Sequence, residues 1–150
     1  MNWVDKRART AELLDSAIPR LFDYLCIALE QSTASYNRHF RTGDDNKVTF
    51  KRQENTVHIG WSHNTRIGGT QAARQISLVD RNVTCTTTGK DKPEFTLHYA
   101  ANCDDGTVCL TRGSGALISD DEATRLMLEE LFFPPKSARS RPSTDRSLWA

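Results

Sequence analysis

The chain has 150 residues, 37% of them hydrophobic, 26% charged and 8% aromatic, with a formal charge of +1 and a pI near 7.7. That is one ordinary domain's worth of chain, able to bury roughly 68–70% of its unfolded surface, so neither a disulfide nor a metal staple is required. The balanced charge excludes the strongly basic composition of a dedicated nucleic-acid binder, and no apolar run approaches the roughly 20 residues of a membrane-spanning helix.

From Val4 to Phe40, apolar residues recur at Val4, Ala8, Ala11, Ile18, Phe22, Leu25, Leu29 and Tyr36, along one helical stripe that Leu14 and Leu21 widen. Pro19 lacks an amide hydrogen and clashes with the carbonyl four residues back, which costs roughly 3 kcal/mol inside a helix. With Asp15-Ser16 available as caps, the expectation is two helical pieces, about 3 to 16 and 18 to 38. Residues 41–46 then read as a turn-rich loop.

After Lys47 the period changes to alternation. Val48, Phe50, Val57, Ile59 and Trp61 point one way, while Thr49, Lys51, His58 and Ser62 point the other. The pattern recurs at Ile76 and Leu78, Val83 and Cys85, Phe95 to Tyr99, Val108 and Leu110, and Ala116 to Ile118. Asp80-Arg81-Asn82, Thr88 to Asp91, Asp104-Asp105-Gly106 and Gly113-Ser114-Gly115 separate these runs. Connections this short join antiparallel neighbours, whereas parallel ones need crossovers of a dozen or more residues. The expectation is an antiparallel meander of about six or seven strands.

Ser119-Asp120-Asp121-Glu122 has the capping-box form, with acids where a helix N-terminus favours them, and predicts a helix over about 120–133. Pro134-Pro135 stops it. The Ser/Arg-rich segment 136–150 has no periodicity and is expected to be a disordered basic tail. Lys136, Arg139, Arg141 and Arg146 against Asp145 make it three charges positive and the rest of the chain two negative.

In element order, seven short strands and a following helix resemble the pleckstrin-homology-like superfold. The N-terminal stripe is extra to that plan and needs an apolar surface to cover it. The expected architecture is therefore an α+β domain over residues 1–135, with one curved antiparallel sheet against an N-terminal helical region and one C-terminal helix. The N-terminus carries charges from Asp5 to Glu12 and no secretory apolar core, which reads as cytoplasmic, with the four cysteines as reduced thiols.

Chemistry-bearing residues are sparse. Cys103 and Cys109 lack a paired C-x-x-C knuckle, so no metal and no other cofactor is expected. Alternation places His58, His98 and Cys109 on one outward face, where they would converge if their strands were neighbours. Thr49, Thr84, Thr86, Thr96 and Thr111 share that face, as on an ordinary solvated β surface. Cys109 with His98 as base lacks a third orienting group. The acid pairs at 44–45 and 104–105 read as turn formers, and that at 120–121 as helix N-terminal charge. No catalytic residue is assigned.

The loop from His63 to Gln71 is the longest within the sheet. Backbone amides beside Gly68 and Gly69, with Arg66, His63 and neighbouring Trp61, are its candidate ligand-binding set, although no phosphate-loop pattern is present. The leading expectation is a non-enzymatic protein-interaction or adaptor module. Its candidate contacts are Val4, Ala11, Ile18 and Leu25 on the N-terminal stripe and Trp149 in the tail, directed at a protein partner or a second copy in a homodimer. A small-ligand or hydrolytic site near the 63–71 loop is the alternative. Weak nucleic-acid binding through the tail comes third, since three excess charges are few for tight binding.

Overall fold

The computed structural model describes residues 2–40, 47–61, 66–67, 70–71, 73–88, 93–113 and 115–133, with the backbone alone at 66–67 and 70–71. Its first element is a single helix, α1, spanning Trp3–Phe40. Asn2 caps it: its Oδ1 accepts from the Asp5 amide at 2.9 Å, satisfying one of the helix's orphan donors.

The expected break at Pro19 does not occur, because α1 runs through it. Pro19 lies on the exposed side of the helix, as does Asp15, whose carbonyl loses its intrahelical partner and is left toward water. On the opposite side Leu14, Ile18 and Phe22 are buried in the core before and after the proline. Burial of this stripe, continued by Leu25, Cys26, Leu29 and Thr33, outweighs the local cost.

Seven strands form one antiparallel sheet: β1 (Val48–Gln53), β2 (Thr56–Trp61), β5 (Ala73–Val79), β6 (Asn82–Thr87), β7 (Phe95–Asn102), β8 (Thr107–Arg112) and β9 (Ala116–Ile118). They lie side by side in chain order. Between β2 and β5 the chain makes a separate two-stranded ribbon, β3 (Arg66–Ile67) with β4 (Thr70–Gln71). The meander follows from two-residue turns such as Glu54-Asn55 and Asp80-Arg81, whose first residues take positive φ of 55° and 56°.

Alternation sorts the sheet as the sequence predicts. Val57, Ile59, Ile76, Val83, Cys85 and Leu97 are fully buried on one face, and both helices pack there in a two-layer core. Four contacts fasten α1 along its length to this sheet. Arg9 Nε donates to the Cys103 carbonyl at 3.4 Å, Asp15 pairs with Arg81 at 3.1 Å, and Asp23 pairs with Arg52 at 2.7 Å. Asn37 does both jobs of a missing strand at the edge of β1. Its Nδ2 donates to the Val48 carbonyl at 2.7 Å and its Oδ1 accepts from the Val48 amide at 2.8 Å.

Two residues depart from the alternation. Arg74 is on the inner face yet only 6% exposed. Its guanidinium donates to Thr87 Oγ1 at 2.8 Å and reaches Glu130 at 3.5 Å. Thr111, expected on a solvated face, is buried, with its hydroxyl donating to the His98 carbonyl at 3.2 Å.

The last helix, α2 (Asp120–Phe132), starts where the capping box predicts. Ser119 Oγ accepts from the Glu122 amide at 3.1 Å. Ala123, Met127, Leu128 and Leu131 enter the core beside α1. Among the described residues no helix is long and apolar enough to cross a membrane.

Candidate functional site

The aromatic residues collect at one end of the helix pair. Tyr36, near the end of α1, is the hub. It stacks on Phe132 at 4.5 Å and 23° and on Phe40 at 5.4 Å and 20°. It also meets the Trp61 ring edge-on at 5.6 Å and 82°. Phe40 and Phe133 close the cluster with a T-shaped contact at 5.0 Å. These are the offset and edge-to-face geometries that ring quadrupoles favour. The i,i+4 spacing of Tyr36 and Phe40 puts both rings on one face of α1, and the end of α2 delivers Phe132 and Phe133 to the same place.

This cluster lines a groove of about 410 Å³ between α1 and α2, within the size range of small-ligand and side-chain pockets. Its floor is Tyr36 with the buried Thr124, Leu128 and Phe132, while Phe40 and Phe133 form the rim at 54% and 51% exposure. Burial pushes the Tyr36 phenol up from its ordinary range, so it stays neutral. Asp121, Arg125 and Glu129 supply the polar rim on α2, with Arg125 and Glu129 joined at 3.3 Å. The groove presents apolar area with a charged border. Among the described residues no hydrogen bond joins its rim histidine, His39, to Ser32 or Ser35 as nucleophile and base would require.

Of the ligand-binding set expected from sequence, Trp61 enters this cluster through Tyr36. Arg66 is described only as backbone in β3, and His63, Gly68 and Gly69 lie outside the described residues. Of the expected contact stripe, Ile18 and Leu25 are 5% and 0% exposed in the protein's own core. The stripe faces the sheet, so those two side chains are not available to a partner. Val4 is 53% exposed and Ala11 half-buried; Trp149 and the basic tail lie outside the described residues.

The outward trio does not assemble. β5 and β6 separate His58 on β2 from His98 on β7, three strand spacings or about 14 Å. No group of three metal-binding side chains occurs among the described residues. His98 Nδ1 lies 2.6 Å from Asn82 Oδ1. The amide oxygen only accepts, so Nδ1 carries the proton. Cys109 is the diagonal neighbour of His98 through the Ala100–Cys109 pair, with no hydrogen bond between them. Two further thiols lie in the core, where burial pushes Cys26 and Cys85 up to about 11 and leaves them unreactive, while Cys103 is partly exposed.

Sequence reasoning took Tyr36 as one member of the stripe and the Phe132-Phe133 pair as the end of a helix. The signal that could have joined them was the coincidence of aromatic pairs at the last turn of each helix. A scan of family models, a search of curated proteins and a search of solved structures each find no significant match to this chain.

Proposed function

We propose that this protein is a non-enzymatic interaction module whose α1–α2 groove takes a short segment bearing an aromatic or large aliphatic anchor. The carrying observation is the groove itself, with two half-exposed phenylalanines on its rim above a buried apolar floor. Monomeric proteins rarely leave such clustered aromatic area open without a use, and aromatic-lined pockets are where interface energy concentrates. The other large exposed apolar side chains lie elsewhere: Trp3, Val4, Tyr24 and Ile27 on α1 outside the groove lining, Val79 on β5, and Leu117 on β9, where it lines a second cleft of about 390 Å³ that holds no aromatic side chain. A flanking Asp121 and Glu129 favour a segment with neighbouring basic residues.

Selection from a displayed random-peptide library tests this reading. Enrichment of aromatic-anchored peptides is expected, with binding lost in Phe40→Ala/Phe133→Ala and retained in Val79→Ala/Leu117→Ala. Enrichment that ignores the phenylalanines, or native mass spectrometry showing a retained metabolite that fills the groove, would overturn it.

A further inference from the structure

Resting on the groove reading above, we infer that the groove's resident occupant is the protein's own segment 134–150, with Leu148-Trp149 as the anchor, so that an outside partner must displace it. Three observations converge on this segment. First, it starts at the groove: its covalent neighbour, Phe133, is a rim residue. Trp149 follows Phe133 by sixteen residues, a length of chain that spans at most roughly 55 Å fully extended and so has ample reach to turn back onto the rings beside Phe133. A tether that reaches its target within the same chain holds the anchor at an effective concentration up to about millimolar.

Second, the charges are opposed. Helix α2 as a whole carries Asp120, Asp121, Glu122, Glu129 and Glu130 against Arg125 alone, an excess of four negative charges, of which Asp121 and Glu129 line the groove beside Arg125. The segment carries an excess of three positive ones, centred on Lys136, Arg139 and Arg141. Third, the anchor chemistry fits. The segment is otherwise Ser-, Arg- and Pro-rich, and its one strongly apolar pair is Leu148-Trp149. An indole is suited to a floor of stacked rings with a polar border.

The contact makes the groove self-competing. A docked fraction of about nine-tenths weakens any outside peptide about tenfold. Modification of Ser137, Ser140, Thr144 or Ser147 would subtract positive charge beside the acidic wall and release the anchor.

Fluorotryptophan labelling of the full chain separates the outcomes, since it holds Trp3, Trp61 and Trp149 and Trp3 is 71% exposed. Trp149→Phe assigns the signal. The expected result is a Trp149 fluorine resonance shielded from solvent, unchanged on dilution. It should shift to a Trp3-like position in Phe40→Ala/Phe133→Ala and, if groove variants unfold, in the charge-reversed Arg139→Glu/Arg141→Glu. A solvent-exposed Trp149 in the unaltered chain overturns the inference, as does shielding that vanishes on dilution, which would mean exchange between copies. Library peptides distinguish the two readings: binding about tenfold tighter to Trp149→Ala supports both. Equal binding to Trp149→Ala and the unaltered chain overturns self-docking and leaves the groove standing. No peptide binding to either removes the groove as an interaction site.

Discussion

Single side chains show how burial changes chemistry that the sequence leaves open. Arg74 is a cation on an apolar face, tolerated because Thr87 and Glu130 receive its guanidinium and its stem packs. The pair is asymmetric, with the Arg74 side chain 7% exposed and that of Glu130 66%. Glu130→Ala should therefore cost under about 1 kcal/mol, as for an exposed partner. Arg74→Ala removes buried packing and a charge-assisted hydrogen bond and should cost about 2–3 kcal/mol. Urea unfolding of the two variants compares them directly, and equal losses would contradict this account.

Cys26 and Cys85 make a prediction of opposite kind. Their folded-state values near 11 stand above the ordinary 9.0 because burial disfavours the thiolate. Above about pH 9 the unfolded chain therefore binds fewer protons than the folded one, and stability falls as pH rises toward 11. Burial of the Tyr99 phenol pushes it up too and extends the loss to higher pH. Denaturation midpoints should be flat across neutral pH and fall on the alkaline side, more shallowly in Cys26→Ala/Cys85→Ala. A native thiol assay should meanwhile detect Cys103 and Cys109 and miss the two buried groups.

At the level of elements, α1 is where local preference and tertiary packing disagree. Pro19 makes an isolated helix expensive at that point, yet the stripe from Leu14 to Leu29 is held on both sides of it. Restoring the missing hydrogen bond should help: Pro19→Ala should raise stability by about 2 kcal/mol, the helix gain of roughly 3 less up to about 1 for the freer unfolded chain. A midpoint that falls instead would show that the proline sets the path of α1. The capping box of α2 shows no such conflict, because Ser119 and the acids after it act within one turn. Its loss in Ser119→Ala should cost about 1 kcal/mol and loosen one wall of the groove, readable in the same titration.

Across the whole molecule, stability should be uneven along α1. The first side chain it buries is Leu14, and the turns before it touch the sheet through Arg9 and the Cys103 carbonyl. Amide exchange should therefore be fast over residues 3–12 and slow from about 14 to 33, where the helix opens only with the sheet beneath it. Uniform protection along α1 would require a surface covering Trp3 and Val4, which are 71% and 53% exposed, and would point to self-association there.

Much of this architecture is legible in the chain because it depends on local rules. Period-two alternation from Val48 to Ile118, turn residues at short intervals and the Ser119 cap determine a seven-stranded antiparallel meander and its final helix, since each acts over a few neighbouring residues. Which face of α1 is free was not legible, because a stripe looks the same whether it meets its own sheet or another chain. Ile18 and Leu25 were resolved only by that sheet. The groove, too, belongs to the tertiary structure: Tyr36, Trp61, Phe132 and Phe133 come from three elements, and their ring contacts arise only when strand order and helix packing bring those elements together. His58 and His98 are separated for the same reason, since alternation assigns a side chain to a face while strand order decides its distance from every other side chain there.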